Sequence, residues 1–274
     1  MTTAWVFRGG ASFAAAQVGM AQALLDAGHY PDMVLGSSAG ALNAALVAAE
    51  PTEGGVDALA RLWERVARSD VFPLNPLVLL AGALGTSDHF VSSKALARWL
   101  RATCPLKRLE DSVLPLTITA TDVATGEEVL LSSGRAVPAL LASAAIPGIF
   151  PPVHIGGRWL MDGSVVADSP VGPAVNAGAT RVWVLSGGAG GTARTPKSVL
   201  GMLLRATSVV VARNHLATLE QWCHRCELYL VPAPVVPGTS PFSFSKSGEL
   251  IASARELAAE WLKDAQQVGS RAGT

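Results

Sequence analysis

The chain has 274 residues, of which 50% are hydrophobic and only 15% charged. That composition excludes a disordered chain, and the length suits one large α/β domain over residues 1–274. Lysine plus arginine and aspartate plus glutamate both number 21, so no basic excess exists to neutralise a phosphate backbone, and nucleic acid is not an expected partner. The three cysteines, Cys104, Cys223 and Cys226, are too few for a disulfide framework and suit a reducing compartment. Residues 1–8 have no basic segment followed by a long apolar stretch, so a secretory signal is not expected and a cytoplasmic location is.

Short runs rich in Val, Ile and Leu alternate with Ala/Leu-rich helical stretches, the pattern of a mainly parallel sheet with helices on both faces. Residues 4–7 read as a buried strand, residues 9–12 as a turn, and residues 13–27 as a helix stopped by Gly28. A second unit repeats the design: a strand at 32–35, a glycine turn at 36–40 and an apolar helix at 41–50. Amphipathic helices at 56–68 and 92–103 flank the uncharged segment 71–87. That segment is broken by Pro73, Pro76, Gly82 and Gly85 and is shorter than the roughly 20 apolar residues a spanning helix needs, so it is read as buried or as a contact with lipid. A strand at 114–120 turns at Thr125-Gly126 and pairs back through 128–132. A helix at 137–145 follows, then a strand at 158–161 leading into Asp162-Gly163-Ser164. A strand at 181–186, a glycine loop at 187–191, a long helix at 198–222, a strand at 227–231 and a helix at 249–264 complete the chain.

Two turns carry chemistry. Gly36-Ser37-Ser38-Ala39-Gly40 satisfies G-x-S-x-G with a strand before and a helix after. A nucleophile held at so sharp a bend needs neighbours without bulk, and Ser38 then projects its hydroxyl beside a helix N-terminus that favours developing negative charge. A tight turn with an incidental serine satisfies the same five letters. Gly9-Gly10-Ala11 opens a helix and would aim several backbone N–H groups at one point, as a tetrahedral intermediate requires. A dinucleotide fingerprint there would need glycine where Ala11 and Ala14 stand.

A serine needs a base. None of the histidines, His29, His89, His154, His215 and His224, lies in a turn-rich setting of small residues. Asp162 does: it ends an apolar strand, and Gly163 and Ser164 leave its carboxylate uncrowded. Capping a turn is the commoner role of such an aspartate.

Together these elements resemble the bacterial patatin-like phospholipases. The resemblance rests on Gly9-Gly10-Ala11-Ser12-Phe13-Ala14, on Gly36-Ser37-Ser38-Ala39-Gly40 extended by Ala41-Leu42-Asn43-Ala44, and on Asp162-Gly163-Ser164. Ala142-Ser143-Ala144-Ala145-Ile146-Pro147, Phe150-Pro151-Pro152, Asp168-Ser169-Pro170 and Phe242-Ser243-Phe244-Ser245 support it. It implies a patatin-like three-layer α/β/α fold and a cofactor-free hydrolase in which Ser38 attacks an ester carbonyl, Asp162 takes the proton without a histidine, and backbone N–H groups of the Gly9, Gly10 and Ala11 loop hold the oxyanion. The loop departs from the family's usual G-G-G-x-[R/K]-G, with Ala11, Phe13 and Ala14 in place of glycine, a basic residue and glycine. If the backbone at position 11 requires positive φ, alanine there is strained. Without the basic residue, a lysophospholipid, a neutral lipid or a simple ester is as good an expected substrate as a diacyl phospholipid.

Phe13, Leu77, Leu80, Ile149 and Phe150 are candidates for lining an acyl channel, although ordinary core packing accounts for each alone. Cys223-His224-Arg225-Cys226 lacks the second ligand pair of a zinc site, so no metal is expected. Segment 71–87 is the expected point of any peripheral membrane contact, and oligomeric state is not legible. The alternatives to a hydrolase are a catalytically silent lipid-binding scaffold and an acyltransferase using the same acyl-enzyme.

Overall fold

The computed structural model describes residues 1–73, 76–78, 86–188 and 195–271, with side chains to 264. Its centre is a sheet in the order β5-β6-β3-β2-β1-β7-β8, with β4 also paired to β3. The strands are β1 (Thr3–Phe7), β2 (Met33–Ser37), β3 (Leu116–Asp122), β4 (Glu128–Leu131), β5 (Val153–Ile155), β6 (Arg158–Asp162), β7 (Arg181–Leu185) and β8 (Glu227–Val231). The run β3-β2-β1-β7-β8 is parallel throughout, and β4, β5 and β6 are antiparallel additions at one side. The fold is therefore a mainly parallel sheet flanked by helices.

Period-two alternation along β1 divides the core between the two faces. Trp5 and Phe7 point into the larger cluster, with α1 (Ala15–Asp26), α2 (Ala39–Ala49), α3 (Glu53–Arg65) and α10 (Ser247–Arg271). Ala4 and Val6 point into a smaller cluster with α8 (Val171–Asn176) and the C-terminal end of α9 (Val199–Trp222). Between these lie α4 (Arg68–Val71), α5 (Lys94–Thr103), α6 (Ala136–Ser143) and α7 (Ser164–Ala167).

Helix ends follow their sequence signals. Thr52 Oγ1 accepts the Gly55 amide at 3.1 Å and starts α3, and Ser198 Oγ accepts the Gly201 amide at 3.1 Å and starts α9. Gly28, at φ 79°, stops α1, with the His29 amide returning to the Leu24 carbonyl. The expected helix at 13–27 divides in two: a 3-10 turn over Ala11–Ala14 precedes α1. The strand β5, which carries His154, is an addition to the expected elements. Segment 71–87 is only partly described: Phe72 is buried, whereas Leu77 is 76% exposed.

Strand pairing explains how residues distant in sequence come together. Thr119 of β3 faces Ser37 on one edge and Leu130 on the other, while Ala120 faces Val129 and Asp162. Since β4 occupies one edge at both positions, β2 and β6 share the other. They run along it from opposite directions, so their C-terminal ends meet between Thr119 and Ala120. Ser38 and Asp162 are the residues at that meeting point.

Candidate active site

Ser38 joins β2 to α2 with φ 53° and ψ −127°, a conformation costing of the order of 1–3 kcal/mol for a residue with a Cβ. Absent side chains on either side make the bend feasible. A Cβ on Gly40 would fall 2.4 Å from the carbonyl oxygens of Phe7 and Arg8, and one on Gly36 would fall 2.5 Å from the Gly40 carbonyl oxygen. The helix thus starts hard against the end of β1. Ser37, within the same turn, is fully buried, and Ala39 lines the cavity described below.

Ser38 is 7% exposed and donates from Oγ to Asp162 Oδ2 at 2.6 Å. The other carboxylate oxygen, Oδ1, accepts from the Ser164 amide at 2.9 Å and the Ser164 hydroxyl at 2.6 Å, which fixes the carboxylate plane. Burial pushes the Asp162 pKa above the usual carboxylate range, and the hydrogen bonds from Ser164 and Ser38 oppose the shift. Ser143 ties the two turns together: its Oγ accepts the Ser38 amide at 2.9 Å, and its carbonyl accepts the Gly163 amide at 3.2 Å.

The glycine loop lies alongside. The Gly9 amide donates to the Asp168 carbonyl at 3.4 Å, which holds the start of the loop. The Gly10 and Ala11 amides have no protein acceptor among the described residues. Ala11 has φ 48°, the left-handed region, and carries the strain its sequence implied. Ser12 pins the loop, its amide donating to the Pro241 carbonyl at 3.3 Å and its hydroxyl to the Ser240 carbonyl at 2.7 Å.

Beneath Ser38 opens a narrow, almost wholly apolar cavity of about 70 Å³, walled by Leu42, Trp63, Phe72, Trp99, Phe150 and Phe244 among others. Ala11 and Ser38 are among the residues that line it. Of the residues expected in an acyl channel, Phe150 lines this cavity. Phe13 and Ile149 pack into the core beside it, Leu77 faces solvent, and Leu80 lies outside the described residues. Expectation failed for Phe13 and Ile149 because hydrophobicity alone does not distinguish a wall from the packing behind it.

A polar network supports the corner from below. Trp63 Nε1 donates to Asn43 Oδ1 at 2.7 Å; Asn43 Nδ2 donates to Gln17 Oε1 at 2.8 Å and to the Ala14 carbonyl at 2.9 Å. Gln17 Nε2 donates to the Arg8 carbonyl at 2.6 Å. Asn43 and Gln17 are fully buried, and their chain of bonds connects the cavity wall to both ends of the glycine loop. Arg8 in turn ion-pairs with buried Asp168 and reaches Ser186 Oγ at 3.2 Å. Burial raises the Asp168 pKa to about 6, Arg8 opposing and the nearby Asp162 charge reinforcing the rise. His215 Nδ1 lies 2.8 Å from Ser169 Oγ, and burial plus the Arg8 charge lower its pKa to about 4.

No histidine hydrogen-bonds Ser38 or Asp162 among the described residues. Nor do the described residues contain a cluster of three or more His, Cys, Asp or Glu able to hold a metal. Sequence reasoning missed the roles of Arg8, Gln17, Asn43 and Ser143. The signal for two of them was present: an amide side chain inside an otherwise apolar helix is a buried polar group needing partners.

A serine at a strained strand-to-helix turn, against a buried carboxylate and above an apolar cavity, is the architecture of a nucleophile-elbow protein. Residues 5–175 match the family model described as patatin-like phospholipase, and the chain belongs to that family. An uncharacterized NTE family protein of Mycobacterium tuberculosis is 30% identical over 209 residues, covering 71% of this chain and 53% of that protein. Patatin-like phospholipase domain-containing protein 6 of Mus musculus is 28% identical over 183 residues, covering 66% of this chain and 13% of that protein. The chain spans about half the length of that mycobacterial relative and 27% of another from the same organism. Among solved structures, VipD from Legionella pneumophila aligns over 94% of this chain and 67% of its own with a TM-score of 0.47 and 14% identity.

Proposed function

We propose that residues 1–274 form one patatin-like domain that hydrolyses lipid acyl esters through a Ser38–Asp162 dyad and an acyl-enzyme. The observation carrying this reading is the 2.6 Å contact from Ser38 Oγ to Asp162 Oδ2, with Ser38 lining an apolar cavity. Ser38 Oγ attacks the ester carbonyl as its proton passes to Asp162, whose raised pKa makes it a stronger base than an exposed carboxylate. The oxyanion takes hydrogen bonds from the unoccupied Gly10 and Ala11 amides. Asp162 returns the proton to the leaving alcohol, then takes one from water, which breaks the acyl-enzyme and frees Ser38. The acyl chain occupies the cavity, each buried methylene contributing about 0.8 kcal/mol. Its substrate is a lysophospholipid, neutral lipid or phospholipid ester, met in the cytoplasm or at a membrane surface.

An ester chain-length series tests this. Ser38→Ala and Asp162→Ala lose at least about a thousandfold in kcat, and Ser38→Ala abolishes labelling by a fluorophosphonate. His154→Ala, His215→Ala and His224→Ala keep their turnover. A folded wild type that takes no label favours the silent scaffold, and collapse of a folded histidine variant replaces the dyad by a triad. Ester product formed with an added alcohol identifies an acyltransferase.

A further inference from the structure

α9 differs from every other long helix in the fold. Of its 24 residues only Leu219 is buried. Its inner residues Leu200 and Leu204 rest on the main core, whereas Val199, Met202, Leu203, Val210 and Leu216 on the outer side are 81%, 54%, 62%, 52% and 65% exposed. An apolar stripe of this extent on a soluble surface marks a binding face.

The position of that face follows from topology. β7 and β8 are parallel, so the helix joining them starts at the C-terminal edge of the sheet, the edge that carries Ser38. His215 touches Ser169 beside Asp168 and the glycine loop, which sets the level of the catalytic corner. At 1.5 Å per residue, the helix from Val199 to His215 is about 24 Å long, and Leu200 and Leu204 in its first turns reach the main core.

Charge identifies the occupant. No Asp or Glu occurs between Asp168 and Glu220, while Lys197, Arg205 and Arg213 lie exposed on or next to the stripe. None of the three has an ion-pair partner among the described residues. Apolar side chains flanked by unpaired cations, with no acid between, complement an anionic lipid surface. No described helix is long and apolar enough to cross a membrane, so contact would be from one side.

We propose that the outer face of α9 docks the protein on anionic bilayers. The proposal rests on the lipid-hydrolase reading for its purpose, but its test does not need turnover. The full chain is sedimented with phosphatidylcholine vesicles with and without phosphatidylglycerol, at low and high salt. Wild type and Ser38→Ala bind the phosphatidylglycerol vesicles alike, and salt weakens both. Arg205→Ala/Arg213→Ala loses about 25-fold, roughly fivefold per charge. Met202→Asp/Leu203→Asp loses at least about tenfold. Both double variants keep wild-type turnover of a soluble short-chain ester. Wild type that ignores phosphatidylglycerol overturns the proposal, as does undiminished binding by both double variants. A dimer that Met202→Asp/Leu203→Asp dissolves, with no vesicle binding, assigns the face to a second copy instead. Vesicle binding by a wild type that hydrolyses no ester leaves the docking face standing and sinks the hydrolase.

Discussion

The Ser38 corner and the helix α9 solve opposite problems within one chain. At the corner, Asp162 engages Ser38 and Ser164, Ser143 bridges both turns, and Gln17 and Asn43 hold the loop from below. Along α9, one residue in 24 is buried, and Arg205, Arg213 and the preceding Lys197 have no ion-pair partner among the described residues. The proposed proton transfer over 2.6 Å needs positions fixed by many bonds, whereas the proposed docking on a lipid surface with no fixed atoms asks only for exposed methyl groups and charge. Substitutions at the corner should therefore disturb stability and turnover together, while those on α9 should leave both intact.

The largest disturbance outside the dyad itself is expected at the buried ion pair. Asp168→Ala leaves the Arg8 guanidinium, 19% exposed, without its counter-charge and costs about 3 kcal/mol of stability by denaturant titration. Replacing both partners, as Arg8→Met/Asp168→Leu, restores most of that stability and leaves turnover low, because Arg8, at the entry to the glycine loop, loses its side-chain tie to residue 168. The two measurements separate packing from positioning.

Acidity sharpens the same point. In the proposed dyad Asp162 must be ionised to accept the Ser38 proton, and burial holds its pKa above the usual carboxylate range, so the acid limb of kcat/KM should be displaced upward. Asp168, at about 6, loses its charge over the same descent. The sign for stability is opposite. Native Asp168 holds a proton more tightly than the unfolded chain does, so its contribution to stability rises as pH falls from about 6 towards 4. Turnover should fall while this group's contribution grows. His215, at about 4, stays mostly neutral until the pH nears 4, and His215→Ala should leave the limb where it was.

Much of this corner was legible in sequence, and the reason is steric. Gly36, Gly40 and Ser38 must sit at those spacings for a helix to start against the end of β1, so the turn is written in consecutive letters. Parallel order was legible as well, since buried strands read as unbroken Val, Ile and Leu runs. What stayed hidden depends on pairing across long separations. Nothing near Arg8 announces Asp168, and nothing near Asn43 announces Trp63; each bond exists because β2 and β6 approach end to end on one edge of β3 or because α3 crosses α2. The cavity was misread for the same reason. Phe13, Ile149 and Leu77 are as apolar as Phe72 and Trp99, and only packing decides which of them faces the hollow.

Trp63 offers a smaller break. Trp63→Phe keeps an aromatic wall but removes the donor to Asn43 Oδ1, leaving a fully buried amide oxygen unpaired at about 1–2 kcal/mol. Thermal unfolding should shift down by several degrees. Met202→Ser on α9, which is 54% exposed, should change stability by no more than about 0.5 kcal/mol. Equal costs at the two positions would erase the contrast between the corner and the helix.

A comparably small effect tests whether strain at the corner matters. Ala11 holds φ 48°, a region that costs an L-residue about 1–2 kcal/mol relative to glycine. Glycine there relieves the strain but widens the unfolded ensemble by about 0.4–1 kcal/mol, so Ala11→Gly should stabilise by only about 0.5 kcal/mol. Its amide remains in place, and with Ser12 still tied to Ser240 and Pro241 the loop has little freedom to use the new flexibility. Turnover should stay within about twofold of wild type, whereas loss of an oxyanion donor costs a hundredfold or more. Ala11→Val puts a β-branched side chain at positive φ and should lower both stability and turnover. A tenfold or larger rise in Ala11→Gly turnover would mean that the native loop is held away from its productive geometry. The corner would then share the adaptability assigned here to α9.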